Sequence, residues 1–280
     1  MKYILTFIVI VTTMFSQEEC GSGRYNTEIF TDITVTSGIF YGSNTNTSFF
    51  GAEVIEDLYL DFYEPAGDDL ENRPLILMLF GGSFIGGSRT SSDIVEICTR
   101  YAKMGYVAAA IDYRLTAELI LFANEETAYK AAAKGIHDLK GAIRYFRMND
   151  DLYNDYKIDT GRIYAGGVSA GAISAVNAAY LNIDNEIPEF LQTYIADNGG
   201  LEGNSGNTSY SSEFHGVINL CGAVGQTDWI QEDDMPIVSL HGTDDEVVPY
   251  GDGMITLFGL NMNVMGSEAI HNRMIQLENI

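Results

Sequence analysis

One short stretch constrains the fold of this chain more than any other. Residues 163–173 read IYAGGVSAGAI, so an aromatic and β-branched run stops at glycines, a serine follows, and small helix-forming residues come after it. Gly167 and Gly171 flank Ser169 as Gly-x-Ser-x-Gly. Glycines on both sides allow a strand to turn into a helix so tightly that the serine backbone is strained. The stretch therefore predicts a strand, a sharp turn with Ser169 at its apex, and a helix.

This arrangement is typical of a nucleophile elbow. The turn would present the Ser169 hydroxyl above the sheet, at the N-terminus of a helix that begins near Ala170. Unpaired N–H groups and the helix dipole at that position favour the negative charge of an acyl-transfer intermediate. Gly-x-Ser-x-Gly alone is a weak signal, because glycine and serine also fill ordinary loops. The strand before it and the helix after it favour the functional interpretation.

The rest of the chain alternates between strand and helix patterns. Continuous apolar runs at 74–80 and 106–111 predict central strands buried on both faces. Apolar residues at helical spacing predict helices over 91–104 and 125–148. Further strands are predicted at 52–63 (an outer strand), 216–221 and 236–240. This alternation predicts an α/β fold with a mostly parallel central sheet and helices on both faces.

The N-terminus predicts export. Residues 1–16 combine Lys2 with an apolar run from Ile4 to Phe15, which is typical of a signal peptide and too short to span a bilayer. We expect a secreted or periplasmic protein with a leader at 1–16, a loop-rich segment at 17–50 and one α/β domain at 51–280. The 280 residues suffice for a complete core in a single domain.

Charge and cysteine content narrow the class of partner. The formal net charge of −24 argues against nucleic acid and anionic membrane surfaces, and we expect no membrane contact after removal of the leader. Cys20, Cys98 and Cys221 are scattered, without the spacing of a metal site, so we expect neither a metal nor an organic cofactor. Cys20 and Cys98 form a possible disulfide in an exported protein, whereas Cys221 lies in an apolar run, where it reads as a small buried hydrophobe.

Two loops after predicted strands carry further candidate residues. The loop GGSFIGG at 81–87 follows a buried strand, and its backbone N–H groups could face the serine, although a flexible glycine loop is the simpler interpretation. The strand at 236–240 leads into HGTDDEVVP, where an acid is expected in the order Ser, Asp, His. Asp245 is our choice, with Asp244 as the alternative and a plain Asp-rich turn as the simplest reading. His241 precedes the acid, so we do not place it in a triad.

Taken together, these segments resemble the α/β-hydrolase superfamily, in particular secreted bacterial carboxylesterases related to the hormone-sensitive-lipase group. The stretches that carry the resemblance are LFGGSF at 79–84, IDYRL at 111–115, GGVSAGA at 166–172 and HGTDD at 241–245. They occur in the order and spacing of the family over residues 52–250. The resemblance implies Ser169 as nucleophile and Asp245 as acid. It also implies an oxyanion hole formed by the N–H groups of Gly82, Ser83 and Ala170.

The chain departs from the family pattern at three positions. Phe80 stands where the related motif usually has histidine, and Ser83 where it usually has a third glycine. The third departure concerns the base, since only His271 follows Asp245 and its surroundings at 266–277 predict a helix with an apolar stripe. We therefore expect His271 to be a helix-surface residue, and we interpret the chain as a copy without the last strand and the histidine loop.

The sequence supports three functions. The first is a serine carboxylesterase that forms an acyl-enzyme with small acyl or aryl esters, including acyl groups on plant polysaccharides. The second is a serine peptidase on the same fold, and the third is a non-catalytic binding protein that keeps the hydrolase fold. The glycine- and asparagine-rich loop from Asp197 to Asn207 could shape the site or be a surface excursion.

Overall fold

The computed structural model describes residues 23–257 and 259–278. Its centre is a seven-stranded sheet. The strands span Ile33–Thr47 (β1), Glu53–Pro65 (β2), Arg73–Leu79 (β3), Val107–Ile111 (β4), Ile158–Val168 (β5), Val217–Leu220 (β6) and Ile237–Leu240 (β7). Their order in the sheet is β1-β2-β4-β3-β5-β6-β7. The pairs β1–β2 and β2–β4 are antiparallel, and the other four pairs are parallel. The predicted α/β class with a mostly parallel sheet is thus confirmed.

Helices cover the sheet and connect its strands. The α-helices span Ser92–Lys103 (α1), Glu118–Leu121 (α2), Glu125–Leu152 (α3), Ala170–Tyr180 (α4), Glu189–Asp197 (α5) and Ser267–Gln276 (α6). The long α3 starts at a capping box, in which the Asn124 side chain accepts from the Thr127 N–H and the Thr127 hydroxyl accepts from the Asn124 N–H. None of the described helices is both long and apolar enough to cross a membrane.

The core sits where β3 and β4 meet α3 and α4. All seven residues of β3 and all five of β4 are buried, as the continuous apolar runs predict. Every residue of α4 is buried too, so this helix is sandwiched between the sheet and its neighbours. A rigid, fully packed centre therefore supports the turn that carries Ser169.

The N-terminal part of the sheet differs from the prediction. Residues 33–47, which belong to the segment predicted to be loop-rich, form the edge strand β1, and β2 lies inside it. Thr, Ser and Asn residues on the exposed side of β1 hid its alternation, because an edge strand needs apolar residues on one side only. The predicted leader at 1–16 and Cys20 lie outside the described residues, while Cys98 and Cys221 carry free thiols.

After β7 the chain forms a hairpin that the sequence patterns do not predict. The strands Asp252–Leu257 (β8) and Leu260–Met265 (β9) pair antiparallel around a turn with Gly259 at φ +86°. The helix α6 comes next and contains His271, as the apolar stripe predicts. Within the described residues the central sheet ends at β7, where Val238 and Leu240 are 63% and 75% exposed.

Candidate active site

Ser169 occupies the sharp turn between β5 and α4. Its backbone angles are φ +52° and ψ −117°, a strained conformation for a residue with a side chain. The Ser169 N–H donates to the carbonyl of Leu220 at 2.9 Å, which ties the turn to the end of β6. A Cβ on Gly167 would lie 2.4 Å from the backbone of Gly171, and one on Gly171 would lie 2.3 Å from the carbonyl oxygen of Leu79. Both glycines are therefore required by close backbone approach, and the strain is held by the packed core around it.

The loop after β3 lies beside this serine. A Cβ on Gly81 would lie 3.1 Å from the Val168 carbonyl oxygen and 3.4 Å from the Ser169 Cβ, so the loop lies close against the serine turn. Gly82 and Ser83 have positive φ angles of +134° and +56°. The N–H groups of Ile85 and Gly86 donate back to the Gly82 carbonyl, which turns that carbonyl into the loop. Among the described residues, the N–H groups of Gly82 and Ser83 have no backbone acceptor in the loop.

The three residues expected to form an oxyanion hole lie in or next to the lining of the cavity that contains Ser169. Ser83, Ser169 and Ala170 line the same cavity, and Gly82 is next to Ser83. Ala170 is the first residue of α4, so its N–H has no carbonyl one turn earlier to bond within the helix. Backbone N–H groups without an acceptor next to a serine hydroxyl are the kind of donors that an acyl oxyanion needs.

The first departure from the family pattern has a packing explanation. The Phe80 ring stacks on Tyr113 with centroids 4.3 Å apart and planes 20° apart, and Tyr113 donates its hydroxyl hydrogen bond to the Phe80 carbonyl at 2.9 Å. A Cβ on Gly87 would lie 2.5 Å from the Phe80 ring. Stacking therefore fixes the start of the loop here.

Asp245 lies on the loop after β7, and its side chain is 21% exposed. Its Oδ1 accepts from the N–H groups of Val247 and Val248 at 2.8 and 3.0 Å, which turns the loop around the carboxylate. Val247 and Val248 line the cavity that contains Ser169. Oδ2 accepts no hydrogen bond from the described residues. It lies 3.6 Å from Nε2 of His241.

Cys221 connects the surroundings of Ser169 and Asp245. Burial raises the pKa of its thiol, the charge of Asp245 raises this pKa further, and the Ser169 backbone lowers it. The thiol of Cys221 therefore lies close to both candidate residues. Cys221 directly follows β6 and has φ +51°. Asp245 and Ser169 do not bond each other directly. The apolar run around Cys221 predicts a small buried hydrophobic residue. In the structure Cys221 is half-buried beside the site, a position that no pattern in the sequence indicates.

All four histidines of the chain are described, and none hydrogen-bonds Ser169. His271 lies half-buried on α6 without a hydrogen bond to Ser169 or Asp245. His241 uses both ring nitrogens elsewhere, on Ser267 and on the Val248 carbonyl. His215 bonds the backbone of Ile163. His137 is buried on α3, where desolvation, followed by the charge of Arg114, lowers its pKa to about 4.

An apolar cavity opens from Ser169. It runs between α3, α4, α5 and the β8–β9 hairpin. Its walls are almost entirely aliphatic and aromatic. Representative lining residues are Phe84, Ala132, Ile136, Ile173, Ile195, Trp229, Ile255 and Val264. Such a cavity accepts an apolar group joined to the atom that Ser169 would attack.

The loop from Asp197 to Asn207 contributes to this cavity through Leu201. Lys140 donates to the Leu201 carbonyl at 2.9 Å, and Arg144 donates to the carbonyl oxygens of Glu202 and Gly206 at 2.8 and 2.9 Å. These bonds fix the loop along α3. It is a wall of the cavity as well as a surface segment. No group of three or more potential metal ligands is found among the described residues.

A strained Gly-x-Ser-x-Gly turn at the carboxyl edge of this sheet defines an α/β-hydrolase of the esterase and lipase type. The chain belongs to the BD-FAE family, whose model matches residues 60–229. Its fold is that of carboxylesterase-type hydrolases, as the resemblance in the sequence indicated.

Individual relatives agree with this assignment. Neutral cholesterol ester hydrolase 1 of Rattus norvegicus is 30% identical over 128 residues, which make up 45% of this chain and 27% of the relative. The match thus spans about a quarter of that protein's length. Esterase 2 of Thermogutta terrifontis, phosphoramylated by tabun, has a TM-score of 0.56 at 20% identity, over 85% of this chain and 79% of that chain. Its butyrate-bound form gives 0.54 at 20% identity over the same shares.

Proposed function

We propose that this protein hydrolyses carboxylic esters through an acyl-enzyme on Ser169. The observation that carries the proposal is the strained Ser169 turn beside free backbone donors at the mouth of an apolar cavity. The acidic loop supplies Asp245 on the same side of the molecule. The proposal uses no metal and no organic cofactor.

The reaction would proceed in two balanced steps. Ser169 Oγ attacks the ester carbonyl carbon while its proton passes to a base, and the carbonyl oxygen takes the negative charge against the N–H groups of Gly82, Ser83 and Ala170. The C–O bond to the alcohol then breaks, and the alcohol leaves with that proton. Water attacks the acyl-enzyme in the same way, which releases the carboxylic acid and restores the serine.

The base is the demanding part of the proposal. Because no described histidine bonds Ser169, the active protein needs a histidine that reaches both Ser169 and the free Oδ2 of Asp245. Loss of the base from a catalytic triad typically costs three to six orders of magnitude in turnover.

The substrate class follows from the cavity. Its apolar walls fit an acyl or aryl group, and the proposal covers small acyl and aryl esters, including those linked to polysaccharides. The esterase 2 of Thermogutta terrifontis, which is similar in fold, has a structure with butyrate bound. A short acyl group as substrate is compatible with this. A net charge of −24 disfavours polyanionic substrates.

We also propose that the protein acts outside the cytoplasm, as a secreted or periplasmic enzyme.

A fluorophosphonate probe tests the proposal, since it labels only an activated serine. We expect labelling of the wild type, none of Ser169→Ala, and full labelling of a variant at the exposed Ser211, Ser211→Ala. Hydrolysis of 4-nitrophenyl esters should follow the same pattern, whereas peptide anilides should remain intact. Cleavage of the anilides in preference to the esters would favour the peptidase alternative.

A second function has one observation in its favour. The absence of a hydrogen bond between any of the four histidines and Ser169 fits a binding protein that keeps the hydrolase fold without catalysis. In that case the probe would leave Ser169 unlabelled, while apolar carboxylic acids would still bind in the cavity.

A further inference from the structure

A buried imidazole lies directly beneath the Asp245 loop. The side chain of His241, at the end of β7, is 1% exposed. Its Nδ1 lies 2.8 Å from Ser267 Oγ and its Nε2 lies 3.0 Å from the carbonyl oxygen of Val248. The Tyr250 ring covers it edge-on, with centroids 5.7 Å apart. Both nitrogens are therefore engaged inside the protein and away from Ser169.

The neighbours of this ring determine where its proton sits. Asn219 accepts from the Gly222 N–H through Oδ1 at 2.7 Å, so its Nδ2 is the atom that donates to Ser267 Oγ at 3.1 Å. Ser267 Oγ, which receives that hydrogen bond, has His241 Nδ1 as its other partner, so its own proton points there. Val248 offers only a carbonyl, which requires a proton on Nε2. The neutral Nε2–H tautomer is the one assignment that satisfies every donor and acceptor.

We propose that His241, in this neutral tautomer, is a positioning residue for Asp245. The backbone of Val248 connects them, because the Val248 carbonyl accepts from His241 and the Val248 N–H donates to Asp245 Oδ1. The ring thereby holds the turn that orients the carboxylate. At 3.6 Å from Nε2, Oδ2 lies beyond hydrogen-bond distance and stays available to a catalytic base.

The same network reaches the nucleophile. Asn219 is fully buried in β6 and fixes the backbone of Gly222 just beyond Cys221. Leu220, the last residue of that strand, accepts from the Ser169 N–H. The candidate acid and the candidate nucleophile are thus both held by hydrogen bonds to the same packed unit. This unit consists of β6, β7 and the start of α6. This inference rests on the proposed role of Asp245.

Two measurements test the network without any activity. Two-bond ¹H–¹⁵N NMR spectra should show His241 as a neutral Nε2–H tautomer, and a proton on Nδ1 would overturn the assignment. Amide hydrogen exchange at Val248 should accelerate at least about tenfold in His241→Ala and change little in His241→Gln, whose amide also offers one donor and one acceptor. His215→Ala, which removes a half-buried histidine elsewhere, is the matched control. Unchanged exchange in His241→Ala would contradict the proposal.

Ester kinetics give the functional arm. We expect His241→Ala to lower kcat about tenfold to a hundredfold with KM within about twofold, and His241→Gln to restore most of it, because small displacements of catalytic groups act on turnover. Faster exchange at Val248 with an unchanged kcat would overturn positioning. If the wild type neither labels nor hydrolyses, the proposed function fails, while the tautomer and the exchange data still decide whether His241 orders Asp245.

Discussion

Arg114 and Asp138 form a salt bridge of 2.9 Å between side chains that are 1% and 0% exposed. The Asp138 carboxylate also accepts from the Arg114 N–H and from Ser205 Oγ, at 2.8 and 2.6 Å. Ser205 belongs to the loop from Asp197 to Asn207, so this one carboxylate joins the end of β4 to α3 and to a wall of the cavity. Arg114 belongs to the segment IDYRL at 111–115, one of the stretches that carry the family resemblance, whereas Asp138 lies on α3.

Removing the Asp138 charge should be costly. Asp138→Asn leaves the Arg114 guanidinium buried without its counter-charge, which typically costs about 3–5 kcal/mol of unfolding free energy. Urea denaturation at pH 7 measures the loss. Glu126→Gln on the same helix is the control, because its ion pair with Lys130 is largely exposed and contributes little. A loss below about 1 kcal/mol for Asp138→Asn would show that the pair does not hold the loop.

His137 should make the fold sensitive to acid. Its pKa in the folded chain is about 4, below the ordinary 6.5, because burial and then Arg114 disfavour the charged ring. The unfolded chain therefore binds a proton more readily below pH 6.5. The contribution of neutral His137 to the free energy of unfolding is complete above about pH 6.5. It is lost as the pH falls toward 4, by on the order of 3 kcal/mol in total.

Denaturant titrations between pH 4 and 7.5 test this sign. His137→Asn should flatten the acid side of the stability profile relative to the wild type. Gln192→Asn, at an exposed position on α5, changes no titratable group and should leave the shape of the profile unchanged. Parallel profiles for the wild type and His137→Asn would contradict the lowered pKa.

Two glycines of the site offer a sharp contrast. Gly171→Ala places a Cβ 2.3 Å from the Leu79 carbonyl oxygen, a backbone atom that cannot move without shifting β3. We expect a loss of at least about 2 kcal/mol or a failure to fold. Gly86→Ala is the matched control, since a Cβ there meets no atom within 4 Å. Thermal unfolding compares them, and equal stabilities would refute the close-approach argument for the elbow.

Local patterns account for what the sequence predicted. The buried strands β3 and β4, the long helix α3 and the Ser169 turn each leave a signal within about a dozen residues, because burial and turn sterics act locally. The Asp245 loop was placed by its position after a late strand. The network around His241 had no such signal, since it joins residues as far apart as Asn219 and Ser267.

The misses have equally specific causes. The sequence of β1 does not indicate a strand, because its exposed side carries Thr, Ser and Asn residues. The β8–β9 hairpin leaves no clear pattern either, because its Asn and Met residues blur a period of two. The cavity could not be predicted at all. It is assembled from separate helices and a hairpin, so no single segment of the sequence describes its shape.

The cavity predicts how acyl length should respond to one substitution. Ala128, Ala132 and Ile136 follow each other by one helical turn on the face of α3 that lines the cavity. Ala132→Leu would extend a larger aliphatic side chain into the space that an acyl chain would fill. Each methylene that no longer fits removes about 0.8 kcal/mol of apolar binding, or about a fourfold loss in kcat/KM. The loss should fall on long acyl esters and spare the shortest.

The measurement is a series of 4-nitrophenyl esters of increasing acyl length with the wild type and Ala132→Leu. Ala132→Ser at the same position adds little volume, so its length profile should match that of the wild type. A series that varies the alcohol part at fixed acyl length shows which arm of the ester enters the cavity, because only that arm should respond to Ala132→Leu. If neither series responds, the cavity does not hold the substrate.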